Sequence, residues 1–291
     1  MGVFIFGYGY SATATARALH RHDPDLSVIG TVRGGASSAA DALRLHAFDG
    51  TRSSNFGDDL ASATHVLVSI PPDANGDPVL RHHSADLAAA RDLRWLGYFS
   101  TVGVYGDFGG AWIDETAETT PTSARGRQRV LAEAQWRAFA AERGVPLFIL
   151  RLAGIYGPGR STFGKLRDDT AHRIVKPGQV FNRIHVEDIG RITARAAIET
   201  LDGTFNLADD EPAPPQDVVA YAADMIGVAP PPEVAFEQAE MSPMARSFYA
   251  DNKRISNAAI KRVLGIELLY PTYREGLAAI LAEERQSTEP A

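Results

Sequence analysis

Val3-Phe4-Ile5-Phe6, then Gly7-Tyr8-Gly9-Tyr10-Ser11-Ala12, then an alanine-rich segment to His22 decide how the rest of the chain is read. The first four residues form the continuous apolar run of a strand covered on both faces. The next six form a G-x-G-x-x-A turn between that strand and a helix. In such a turn the first glycine permits the tight bend and the second lets backbone approach a pyrophosphate. The small third residue lets helix and strand pack closely. Phosphate would sit on the N–H groups at the helix start. Gly7, Gly9, Tyr10, Ser11 and Ala12 are therefore the expected contacts of a dinucleotide, the alternative being a plain strand-to-helix turn.

Working outward, Leu26 to Val32 reads as a second strand ending at Arg33-Gly34-Gly35. An acidic residue there would hold the ribose hydroxyls of NAD. None is present, and Arg33 is in reach of a 2′-phosphate, so NADP is the expected cofactor, with NAD the alternative. Ser37 and Ser38 could assist. Leu45 to Phe48 is a weak third strand ending at Asp49, which either lies near the adenine or caps a turn. Thr64 to Ile70 is a clear strand stopped by Pro71-Pro72. Strand C-termini line the ligand crevice of a doubly wound sheet, which makes Ser69, Ile70 and Pro71 cofactor neighbours. A helix over 79–93 and a strand from Trp95 to Ser100 continue the alternation.

Strict strand–helix alternation implies an α/β fold, a Rossmann-type doubly wound parallel sheet with right-handed crossovers. A dinucleotide-binding domain is expected over 1–155, its sheet completed by about 180–208. Residues 156–180 and 209–291, where prolines cluster, read as a smaller, irregular substrate lobe. Ile189 to Thr200 reads as a helix and Gly203 to Leu207 as a late strand.

Composition bounds the function. The 291 residues carry a net charge of −7, 45% hydrophobic and 22% charged residues, and no cysteine. Thiolate catalysis and disulfides are excluded. An acidic chain without a basic tract is not expected to bind nucleic acid or membrane. The apolar start is too short for a signal peptide or a membrane span, so a cytoplasmic location is expected. The scattered histidines suggest no metal site, and there is no G-x-S-x-G elbow.

From Ser100-Thr101-Val102-Gly103-Val104-Tyr105-Gly106 onward the chain resembles the extended short-chain dehydrogenase/reductases, the family of sugar-nucleotide epimerases and dehydratases. Four further stretches match in order: Pro121 to Glu133, Arg151 to Pro158 (RLAGIYGP), Arg183 to Asp188 (RIHVED) and Gly203 to Leu207. The resemblance covers about residues 1–210. It implies that Thr101 hydrogen-bonds a substrate oxygen, unless it is a simple strand-end residue. It also implies a small-molecule substrate, anionic or sugar-nucleotide-like. Homodimer pairing would run through the helix of the second stretch, where Ala132, Trp136 and Phe139 serve that interface or the core.

The departure lies in that helix. The family pattern is P-x-x-x-Y-G-x-x-K-x-x-x-E, and Pro121, Gly126 and Glu133 hold the register here. The tyrosine position is Arg125 and the lysine position Arg129. Arginine stays protonated, so Arg125 is a poor acid or base. The expected roles become an anion contact for Arg125 and a ribose or phosphate contact for Arg129. Tyr105 is the nearest replacement acid, although its counterpart in the family is structural. Tyr156 and Arg183 are assigned to the substrate side, and His185 to organising the junction. The chain is thus expected to be an atypical enzyme of this family or a non-catalytic NADP-binding sensor.

Overall fold

The computed structural model describes residues 1–34 and 43–288, and Ser37 and Ser38 lie outside them. The strands are β1 (Gly2–Phe6), β2 (Ser27–Val32), β3 (Arg44–Ala47), β4 (His65–Val68), β5 (Trp95–Thr101), β6 (Trp112–Ile113), β7 (Leu147–Leu152), β8 (Gly154–Tyr156), β9 (Arg173–Val175), β10 (Arg183–His185), β11 (Gly203–Leu207), β12 (Glu233–Ala235) and β13 (Arg254–Ile255). The helices are α1 (Tyr10–His22), α2 (Gly57–Ala61), α3 (Pro78–Ala89), α4 (Ala124–Arg143), α5 (Thr162–Arg167), α6 (Val186–Ile198), α7 (Pro215–Met225), α8 (Pro243–Ser247), α9 (Ala258–Leu264) and α10 (Tyr273–Thr288).

The chain divides into two compact units. One comprises Met1–Val104, Ala124–Arg151 and Ile189–Phe205; the other comprises Tyr105–Ser123, Leu152–Asp188 and Asn206–Ala291. The first is built on a seven-stranded sheet in the order β11-β7-β5-β4-β1-β2-β3, with parallel pairing from β3 across to β5. This is the expected Rossmann-type sheet, and its order reverses beside β1. Val3 to Phe6 are buried throughout, and Phe4, Phe6, Phe48 and Phe56 form one ring cluster on one face. Asp77 caps α3 by accepting from the N–H groups of Val79 and Leu80, with Pro78 at the first helical position. Cap and proline both suit a helix start.

Several boundaries shift for local reasons. β4 spans His65–Val68; Ser69 N–H still reaches Phe6 O, 2.8 Å away, and Ile70 beyond it lies over Gly7. Phe48 leaves β3 for the core after its N–H meets Val32 O.

The second unit pairs β8 with β10, β9 with β12 and β6 with β13. Its main core gathers Tyr156, Phe163, Val218, Tyr273, Leu277 and Ile280. The segment 105–123, expected in the dinucleotide domain, packs in this unit because Trp112–Ile113 pairs with Arg254–Ile255. Among the described residues no helix is long and apolar enough to cross a membrane.

Candidate functional site

The β1–α1 turn is the clearest constructed feature of the first unit. Gly7 has φ +87°, a region that costs an L side chain strain, and a Cβ there would lie 2.5 Å from Ile70 Cγ2. Gly9 is the opposite case. Its backbone is extended, with φ −108° and ψ −164°, and a Cβ would meet nothing within 4 Å among the described residues. It is the N-cap of α1, a position that here supplies no side-chain cap hydrogen bond. One glycine is thus closed against β4 and the next faces open space, as a cradle for pyrophosphate requires. Ala12 is fully buried, which brings α1 onto the sheet.

Two residues of β2 hold the turn, and both escaped the sequence reading. Thr31 Oγ1 accepts from Gly7 N–H at 2.9 Å, and Thr31 O accepts from Tyr8 N–H at 2.6 Å. Gly30 leaves room for the Tyr8 ring, 2.9 Å from where a Cβ would stand. Ser69 and Ile70 border Gly7, with Pro71 next to them and exposed. Arg33 is exposed just beyond β2 and has no partner among the described residues. Asp49 is exposed; Thr51 donates to it through N–H and hydroxyl, 2.9 and 2.6 Å, and these bonds hold its carboxyl below the usual range. The turn cap is therefore formed.

The start of α4 is built differently. Arg125 is exposed and unpartnered among the described residues. Arg129 is engaged: its Nη1 donates to Phe99 O and, at 3.1 Å, to the Tyr98 hydroxyl, with the guanidinium 5.5 Å over that ring. It ties α4 to β5 two residues before Thr101. Thr101 is half-buried at the end of β5, and its Oγ1 accepts from Gly103 N–H at 3.1 Å, which leaves the hydroxyl proton free to donate. Further along α4, buried Glu133 meets Arg151 at 2.8 and 3.1 Å and Ser100 Oγ at 2.6 Å.

In the second unit Tyr105 is fully buried, and its hydroxyl donates to Asn206 Oδ1 at 2.8 Å. This hydroxyl serves packing, and the replacement-acid role is corrected on that ground. Glu115 accepts from Asn206 N–H at 2.8 Å. Tyr156 is a core residue whose hydroxyl points to Thr272 O, 3.4 Å away; burial pushes its pKa up. His185 is buried between the Tyr156 and Tyr270 rings and accepts from Glu187 N–H; burial lowers its pKa to about 4, so it is neutral near pH 7. Arg183 is half-buried, with Nη1 donating to Phe181 O and Ala213 O. Among the described residues no cluster of histidine and acidic side chains could hold a metal ion.

Residues 79–207 match the model of the NAD dependent epimerase/dehydratase family. The chain is 30% identical over 227 residues to Protein YeeZ of Escherichia coli K12, covering 74% of each. Among solved structures it is 47% identical to a functionally unknown conserved protein from Silicibacter pomeroyi, covering 97% of this chain and 99% of that one at a TM-score of 0.89. A UDP-glucuronic acid 4-epimerase from Bacillus cereus, solved with UDP-glucuronic acid and NAD, shares the fold at a TM-score of 0.77 and 17% identity, over 99% and 100% of the two chains.

Proposed function

The chain belongs to the NAD-dependent epimerase/dehydratase family, and from that premise we propose that it is an NADP-binding oxidoreductase or epimerase-like enzyme with an altered acid–base site. The observation that carries this reading is the turn, with Gly7 closed against Ile70 and Gly9 open, among the described residues, at the N-cap of α1. Gly7, Gly9, Tyr10, Ser11 and Ala12 would hold the pyrophosphate, with Ser69, Ile70 and Pro71 beside it. Arg33 would meet the 2′-phosphate, and the Asp49 turn the adenine. A nicotinamide dinucleotide supplies hydride transfer when bound.

The chain's own residues then divide the remaining work. Thr101 donates its hydroxyl proton in a hydrogen bond to a substrate oxygen. Arg125 holds an anionic group of the substrate. Proton transfer passes to water or to the substrate, because Tyr105 is spent on Asn206. Cytoplasmic location and homodimer pairing through α4 complete the proposal. The tie from Arg129 to Phe99 O and Tyr98 favours a second reading, a non-catalytic NADP-binding sensor, since the lysine position then serves packing.

Fluorescence titration with NADPH and NADH tests the cofactor, and equal affinity for the two overturns the NADP assignment. Turnover of NADPH across sugar nucleotides, aldehydes and keto acids separates enzyme from sensor. Activity gained by Arg125→Tyr with Arg129→Lys supports a site that is still competent. Absence of turnover, together with unchanged ligand affinity in Thr101→Ala, favours the sensor.

A further inference from the structure

Arg183 and Asp209 lie in the second unit, and their contacts do not match their charges. Arg183 Nη1 donates to Phe181 O at 3.0 Å and to Ala213 O at 3.2 Å. Those two residues also bridge each other through both backbone N–H groups, so the anchor is rigid. The guanidinium lies 6.0 Å over the Tyr273 ring. Only one terminal nitrogen is used. The edge formed by Nε and Nη2 has no partner among the described residues, and a planar fork fixed at one corner presents that edge for bidentate contact.

Asp209 donates its backbone N–H to Arg183 O at 2.6 Å. Asp209 is 1% exposed, and neither carboxyl oxygen has a well-aligned hydrogen-bond partner among the described residues. Desolvation pushes the carboxyl up to about 8, against the weaker pull of Arg183 and of the Glu211 N–H. A buried carboxylate beside a guanidinium would ordinarily bond it, since one unpaired charge in the interior costs several kcal/mol. Here the acid is neutral near pH 7 and the cation has no counter-ion among the described residues.

The other charged groups around them are engaged. Glu211 pairs with Arg274 at 3.0 Å and Asp210 with Lys261 at 3.2 Å. Asp188 on α6 accepts from the N–H groups of Leu269 and Tyr270, and Glu275 on α10 from Thr272. Tyr156 on β8 and Tyr273 on α10 have pKa values raised by burial and stay neutral. His185 on β10 is neutral as well. None of these neutralises Arg183.

We propose that Arg183 binds an oxyanion of a small ligand, a carboxylate or a phosphate, and that Asp209 gates this site by competing for the guanidinium once it ionises. This rests on reading the second unit as substrate-binding. It narrows the expected anionic ligand to an oxyanion on the Nε–Nη2 edge of Arg183, and it adds a gate that nothing in the motifs signalled.

The test is calorimetric titration with sulfate and with oxalate, both of constant charge between pH 6 and 9, in the absence of dinucleotide. The wild-type protein binds at pH 6.5, and its affinity falls about tenfold by pH 9, one unit above the carboxyl's pKa. Asp209→Asn binds without that fall. Arg183→Gln, shown folded by circular dichroism, binds at least tenfold more weakly at pH 6.5. A preference for sulfate or for oxalate identifies a phosphate or a carboxylate ligand, and either supports the proposal. No anion binding by the wild type, or the same fall in Asp209→Asn, overturns it even if Arg183→Gln does not fold. Wild-type affinity in a folded Arg183→Gln overturns it too. NADPH binding is scored separately, so loss of the cofactor reading and loss of the anion site are told apart.

Discussion

At the β1–α1 turn the working surface is backbone; at the start of α4 it is side chain. The turn functions through what Gly7 and Gly9 lack, and its support comes from Thr31 and Ile70 behind it. On α4, Arg125 and Arg129 stand one helical turn apart, and they diverge. Arg129 is drawn onto β5, whereas Arg125 stays exposed. A backbone-built site survives changes in side-chain identity around it. A side-chain-built site can lose its chemistry while the helix that carried it keeps its register and its packing.

The largest effect should come from the deep part of α4. Glu133→Ala removes the buried carboxylate that both Arg151 and Ser100 bond. Breaking one side of a buried pair costs about 3–5 kcal/mol. Urea unfolding should show that loss, and a cost under about 1 kcal/mol would mean that α4 is not pinned by this pair. Gly7→Ala should follow at about 3 kcal/mol, combining a positive φ with an overpacked contact on Ile70. A stable Gly7→Ala protein would break the claim that the turn is closed on that side.

The two arginines sharpen the contrast within α4. Arg129→Ala removes charged hydrogen bonds to Phe99 O and Tyr98 and should cost about 2 kcal/mol. Arg125→Ala should change stability by less than about 0.5 kcal/mol. A small gain is expected, since a cation near the positive end of a helix is unfavourable and the first turn holds no acid to offset it. Equal losses in the two variants would erase the distinction between a tied and an available arginine.

The turn and the alternation of strands and helices were legible because both rest on residue type and spacing. The downstream motifs were legible as a family resemblance, and the structure shows why their residues recur together: they contact one another. Glu133 meets Arg151, Tyr105 meets Asn206, and His185 packs on Tyr156 as β10 pairs in register with β8. Other features depend on contacts between distant segments. Thr31 reads as an ordinary β-branched strand residue, and only the fold brings its hydroxyl to Gly7 N–H. Arg129 could be read toward ribose because its partners on β5 lie some thirty residues away. Asp209 stands in the run Asp209-Asp210-Glu211, which looks like a solvated acidic loop. Its two neighbours do face salt-bridge partners at the surface, while Asp209 alone is drawn inside.

Gly9→Ala is the substitution with the smallest expected effect on the fold and the most direct bearing on the turn. The extended backbone at Gly9 suits alanine, and the new methyl would touch nothing within 4 Å. Stability should therefore stay within about 0.5 kcal/mol of wild type. Dinucleotide affinity should nevertheless drop at least about tenfold, because a methyl would stand where a pyrophosphate must approach backbone. Chemical denaturation and NADPH titration on the same preparation separate the two quantities. If affinity is unchanged, the open space at Gly9 is not where the phosphates lie, and Gly7 matters only as a bend. If stability falls with affinity, Gly9 is a structural glycine like Gly7. Only unchanged stability with lost affinity fits a turn whose two glycines do different work: Gly7 against the protein, Gly9 toward the ligand.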